Sequence, residues 1–249
     1  MLTDEWKEAI ELSQTAIDSF LNVMDQRRAV NNHDLLANYF IGKTITTFYS
    51  VCFLCEKGYG EDAMVLSRTM LENLINYSYI NREPEENTEL FIEFDKVRAK
   101  KRLNNYRAIY PEKHIPEEVV ETIERNYEEV KEKYKTDSCL QTWSGKNLAD
   151  MAIKCGLQEY YRIIYPLASS YAHGSVETSV SYINKQGKGY SVRAGQPCDE
   201  FTAEAIYAAC SILLMLIGET FDLYDIETPD KVNDALFYLG ELQKTRDRS

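Results

Sequence analysis

Between Leu35 and Cys55 the chain carries one charged side chain, Lys43. Around it Leu35, Tyr39, Ile41, Ile45, Phe48, Val51 and Leu54 recur at helical spacing. A helix that is apolar all round offers water no face, so this one is expected at the centre of a bundle, over about residues 34–56. The next helix, about 61–81, repeats the pattern with Met64, Leu66, Met70, Leu71, Leu74, Ile75 and Tyr77. Gly58 and Gly60 bracket the turn between them. Two consecutive helices of this kind point to an all-α chain.

The remaining segments agree. Thr3 or Asp4 can cap a first helix to about residue 27. A basic helix is expected over about 85–108 and an acidic one over about 116–135; residues 85–136 would then form a helical hairpin protruding from the bundle. A short helix near 147–155 leads into one over about 157–173, and two more close the chain, about 199–225 and 229–246. Thr178–Ile183 and Tyr190–Val192 alternate with period two around a Gly-rich turn, which predicts a small β-hairpin near 178–193. The expected architecture is one helical domain over 1–249, a multi-helix bundle of about eight or nine helices.

The net charge of −12 repels nucleic acid and anionic membrane at long range, so contact with either must be local. No segment is expected to reach the about eighteen apolar residues of a membrane span; the nearest, Ala205–Ile217, is expected to be a core helix. The N-terminus lacks the basic and apolar blocks of a secretory leader. A cytoplasmic protein without a membrane partner is expected. Cys52-Phe53-Leu54-Cys55 has redox-motif spacing but lies near the end of a helix, where no dipole lowers a thiol pKa; these cysteines are expected in the core. No second CxxC exists and the three histidines are widely spaced, so neither a metal nor a cofactor is expected.

Two constellations carry candidate chemistry. Arg68 and Glu72 stand one turn apart on an otherwise apolar helix. They read either as a buried ion pair orienting two helices or as part of a site. Arg162, Tyr165, Ser169 and His173 form a polar and aromatic stripe on a later helix, with Tyr161 beside it. Pro166 should kink that helix, and Gly174 should stop it at His173, where the C-terminal dipole favours imidazolium. His173 reads as a helix cap or as an acid/base group. Trp143-Ser144-Gly145-Lys146 at a helix start could contact an anion, although docking of Trp143 on the core is the simpler reading. The basic run Lys96, Arg98, Lys100, Lys101, Arg102 and Arg107 could bind phosphate or pair with the glutamates that follow.

These spaced motifs (Arg68-x3-Glu72, Trp143-Ser-Gly-Lys146, Tyr161-x3-Tyr165-x3-Ser169-x3-His173) resemble a bacterial family of helical proteins of unknown function, over about residues 10–220. The layout is also distantly similar to the HEPN superfamily of helical nucleotide- or RNA-binding proteins, many of them ribonucleases of phage defence or toxin–antitoxin systems. In that superfamily an arginine precedes the histidine by four to six residues on one helix. Here Ser169 stands four before His173, and the nearest upstream arginine is Arg162.

The resemblance implies a homodimer acting on or binding RNA or a nucleotide. Arg68 would contact phosphate, Glu72 would orient Arg68 or His173, and His173 would be the acid/base supported by Tyr165 and Ser169. Tyr161, Arg162, Trp143 and Lys146 would contact substrate. The alternative is a non-catalytic helical module, a sensor or the partner of another protein. In that module Arg68, Glu72 and His173 form an internal polar network.

Overall fold

The computed structural model describes residues 2–25, 27–134, 142–187, 189–193, 195–198 and 200–246. Among them nine helices and one two-stranded sheet form, an all-α bundle with a hairpin. They are α1 (Asp4–Met24), α2 (Asn32–Glu56), α3 (Gly60–Arg82), α4 (Pro84–Ile109), α5 (Glu117–Val130), α6 (Leu148–Lys154), α7 (Gln158–Ala172), β1 (Ile183–Gln186), β2 (Gly189–Val192), α8 (Thr202–Leu223) and α9 (Asp230–Arg246). Residues 135 and 136 of the expected hairpin, Lys188 in the strand turn and Asp199 at the expected start of α8 lie outside the described residues.

The central element is α8, not α2. Ala205, Ile206, Cys210, Ile212, Leu213, Leu216, Ile217 and Phe221 are sealed from solvent between α1, α2, α3 and α9. Burying each large side chain of this kind contributes about 1.5–3 kcal/mol. By length and composition α8 could cross a membrane, yet 67% of its most apolar window is buried inside the bundle. The sequence expectation that no segment reaches that length is corrected here, because interspersed Ser211, Gly218 and Thr220 do not lower the mean hydropathy enough. α2 packs on α3, α4 and α8 with one side, through Phe40, Thr44, Phe48, Val51 and Cys55. Its opposite side is open, so being apolar all round did not make this helix central.

Local chemistry sets the helix ends. The Asn31 side chain accepts the Asp34 N–H at 2.8 Å to start α2, and Pro84 sits in the first turn of α4, where its missing N–H costs nothing. α7 runs through Pro166 and ends as expected at His173. Gly174, at φ +64°, turns the chain, and the Ser175 N–H returns to the Ser170 carbonyl at 3.0 Å.

The hairpin is displaced. Residues 176–181 form a 3-10 turn, not a strand, and β1 begins only at Ile183. The Thr178 hydroxyl donates to the Ser175 carbonyl at 2.7 Å, a local bond that competes with extended backbone. Thr178 and Ser181 are buried by this turn. β1 and β2 pair antiparallel with Ile183 opposite Val192 and Gln186 opposite Gly189, and Gly187 adopts φ +60° in the connecting turn.

Candidate functional site

Three half-buried residues at successive turns of α3, Arg68, Glu72 and Asn76, organise a polar network between α3, α7 and Trp143. Arg68 donates from Nε to Glu72 Oε1 at 2.9 Å and from Nη2 to the Tyr165 hydroxyl at 2.8 Å. Its guanidinium carbon also lies 4.3 Å from the Tyr165 ring centre. Tyr165 in turn stacks on Tyr161, with centroids 4.7 Å apart and planes at 22°. Burial raises the Tyr161 pKa, so its hydroxyl stays protonated. One turn beyond Glu72, the Asn76 amide donates to the Glu72 carbonyl at 2.6 Å and accepts the Trp143 indole N–H at 2.8 Å.

The structure therefore brings together Arg68, Glu72, Tyr165 and Tyr161. It does not bring His173 to them. α7 rises about 12 Å along its axis from residue 165 to residue 173. His173 is exposed, and among the described residues its ring bonds neither Arg68 nor Glu72. Ser169 is half-buried between the two levels, and Arg162 is exposed. Glu72 orients Arg68 alone.

Trp143 docks on the core, edge-on to Tyr79 and Phe91, at 5.7 and 5.2 Å between ring centres. The rest of its motif follows from that anchor. Gly145 adopts φ +65°, the Ser144 hydroxyl receives the Lys146 N–H at 3.2 Å, and the Asn147 side chain accepts the Asp150 N–H to cap α6. Lys146 thereby lines the same cleft as residues of α4.

Between Lys146, α4 and α5 lies a cleft of about 730 Å³. Arg98, Lys100, Lys101 and Lys146 line it, with Asn76 and Asn104, over an apolar floor that includes Phe94 and Trp143. Among the described residues no aspartate or glutamate lines it. The basic run of α4 divides by helix face. Lys96 and Lys100 turn to α5 and pair with Glu129 at 2.8 Å and Glu124 at 2.5 Å; Arg107 lies 3.6 Å from Glu124. Arg98 lies over the Phe94 ring at 5.1 Å, and neither it, Lys101 nor Lys146 has an acidic partner among the described residues. Asn76 and Asn104 went unnoticed in the sequence, although Asn76 continues the four-residue spacing of Arg68 and Glu72.

Cys52 and Cys55 are buried, and burial pushes the Cys55 thiol up to about 12 and that of Cys52 higher still, which suits core packing rather than redox exchange. The ligand atoms of Glu61, Cys198 and Glu200 lie within 4.8 Å of one another, close enough to share a cation. Arg193 already reaches Glu61 at 3.4 Å and Ser181 donates to Glu200 at 3.0 Å, so these carboxylates are engaged within the chain.

Comparison with curated proteins and with solved structures returned no match. A family model does match, over residues 34–190, a span that holds α3 to α7 and all but the first two residues of α2, with the Arg68–Tyr165 contact and the whole basic cleft. The chain belongs to that family, described as a family of unknown function, DUF5677.

Proposed function

We infer that this protein binds a phosphate-bearing ligand, a nucleotide or a segment of RNA, in the cleft between α4, α5 and residues 142–151. One observation carries the reading: a chain of net charge −12 lines a concave site with four cations and no described acid. Low-dielectric walls focus such a field, and the site's volume falls within the range of about 300–1,000 Å³ usual for small-ligand pockets. Glu124 neutralises Lys100, which leaves Arg98, Lys101 and Lys146 to meet an anion. Asn76 and Asn104 supply neutral hydrogen-bonding groups at the wall.

The proposal is one of binding. The pairing of Arg68 with Glu72 and Tyr165 favours a structural network between α3 and α7, the role expected of it in a non-catalytic module. Binding of RNA or a nucleotide in the cytoplasm is also what a HEPN-like member of a phage-defence or toxin–antitoxin system would require, and that context belongs to the same proposal.

The test is calorimetric titration of the full chain with ATP, pyrophosphate and a short single-stranded RNA, beside Lys101→Glu and Lys146→Glu. Binding of at least one probe, weakened tenfold or more by each substitution, supports the cleft. Heat from none of the three, or binding by both variants equal to that of the wild type, refutes it. ATP and RNA arms that differ tell a mononucleotide site from an oligonucleotide one.

A further inference from the structure

The open side of α2 carries a seam. Leu35, Tyr39, Gly42, Thr46, Tyr49 and Phe53 are all exposed and follow one another at steps of four, three, four, three and four. Leu35, Tyr39, Tyr49 and Phe53 leave 57%, 49%, 43% and 59% of their surface in water. An alternation of three and four is the spacing of a two-helix coiled-coil interface, not of the broader stripe that faces a globular core. The core-facing residues of the same helix, Phe40, Thr44, Phe48, Val51 and Cys55, are satisfied separately.

We propose that α2 pairs antiparallel with α2 of a second copy of this chain, about a two-fold axis level with Thr44. The order of residues along the seam selects that occupant. A half-turn about this level exchanges Leu35 with Phe53, Tyr39 with Tyr49 and Gly42 with Thr46. Each large side chain meets a large one at the ends, and the two small ones meet at the middle, where the helices can approach to about 8 Å. In heptad terms every pair joins an a position to a d position, as antiparallel packing requires. A patch that is self-complementary under a half-turn is the definition of an isologous dimer interface. A hollow on the same face is lined by Thr46, Tyr49, Ser50, Phe53 and Leu54; the first four have the spacing of a hole that receives a knob, and the half-turn aims Tyr39 of the second copy at it. Charge agrees. Two copies of net charge −12 repel, and this seam holds no acid between Leu35 and Phe53, with Lys43 on its flank. The dimer rests on α2 alone and is independent of ligand binding in the cleft.

Sedimentation of the full chain tests it, beside Gly42→Arg. A Cβ at Gly42 meets nothing within 4 Å, so the variant keeps the fold, which the far-ultraviolet dichroism checks. The expected result is twice the chain mass for the wild type and a single chain for Gly42→Arg, with equal helicity. Orientation is read by disulfide formation under mild oxidation. Chains carrying Gly42→Cys should cross-link to chains carrying Thr46→Cys several-fold more than either variant to itself, with the joined peptides identified by mass. A monomeric wild type, a dimer indifferent to Gly42→Arg, or a 42-to-42 cross-link in preference to 42-to-46 each overturns the proposal. A wild type monomeric alone but shifted by other proteins or lipid would assign the seam to a different occupant and equally overturn it.

Discussion

Arg68 on α3 and Tyr165 on α7 are joined twice, by a 2.8 Å hydrogen bond to the hydroxyl and by a guanidinium lying 4.3 Å from the ring centre. With Glu72 on its other edge, the guanidinium uses its planar fork to hold two helices in register. Arg68→Ala should cost about 1–2 kcal/mol, since charge-assisted bonds are lost from a site that keeps some solvent screening. Arg68→Lys should recover little of it, because one ammonium cannot reproduce both directions of the fork. A cycle of Arg68→Ala with Tyr165→Phe, followed by urea unfolding, should give a coupling of about 0.5–1.5 kcal/mol. Strict additivity would mean the two residues do not act together.

A second polar cluster sits between α3 and α8. Glu219 is largely buried there, accepting from Ser78 and, at 2.9 Å, from Asn81, whose own carbonyl meets His33 Nε2 at 2.9 Å. Burial raises the Glu219 pKa, and the two donated bonds offset this only in part. The folded chain therefore keeps this proton where the unfolded chain has released it. Stability falls as pH rises from the ordinary carboxylate value to the folded-state value, then levels off. Glu219→Gln removes that loss. Its melting temperature relative to wild type should be higher at pH 7.5 than at pH 4.5, by about 2–4 °C for each kcal/mol recovered. Calorimetry at the two pH values decides, and an unchanged difference would assign the cluster no proton linkage.

The helices were legible in the sequence because their evidence is local. Asn31, Pro84 and Gly174 mark ends that the structure keeps within about two residues. What failed was placement. The near absence of charge from α2 read as centrality, but an apolar surface can serve a core on one side and something else on the other. The 178–183 alternation read as a strand because Thr and Ser fit a pleat; a hydroxyl bond from Thr178 to Ser175, invisible in a periodicity count, turned it into a 3-10 segment. The Arg68–Glu72 pair was visible as spacing, whereas Tyr165 as its partner depends on α3 and α7 lying side by side. The same holds for the cleft, where Lys146 and Arg98 are brought together by the docking of Trp143.

Among the glycines of the chain, Gly60 leaves the least room for a side chain. A Cβ there would lie 2.1 Å from the Glu200 carbonyl oxygen and 2.6 Å from the Thr202 nitrogen. Neither neighbour is a side-chain tip that can swing aside, so the start of α3 and the start of α8 would have to separate. Gly60→Ala should destabilise by about 3 kcal/mol or more, at or beyond the usual upper end of overpacking. Gly240→Ala, in α9 where an added Cβ meets nothing within 4 Å, should instead stabilise by about 0.5–1 kcal/mol through helix propensity. Chemical denaturation of the two variants measures both signs, and a neutral Gly60→Ala would contradict the close approach of these two helix starts.

The charge arrangement of the cleft makes a finer prediction than loss of binding. Lys101 and Lys146 carry no acidic partner among the described residues, whereas Lys100 is held by Glu124. For a single-stranded RNA probe, removing a cation that contacts phosphate should lower the slope of log affinity against log salt by about 0.7. Lys101→Ala and Lys146→Ala should each do so. Lys100→Ala should change the slope far less, because its charge is already compensated. Glu124→Gln should act in the opposite sense: freed of its carboxylate, Lys100 becomes available, affinity rises at low salt and the slope steepens. Titrations over a range of potassium chloride concentrations separate the four variants. Equal slopes for Lys100→Ala and Lys101→Ala, or an affinity lowered by Glu124→Gln, would show that the ligand does not read the cleft by its unpaired charges.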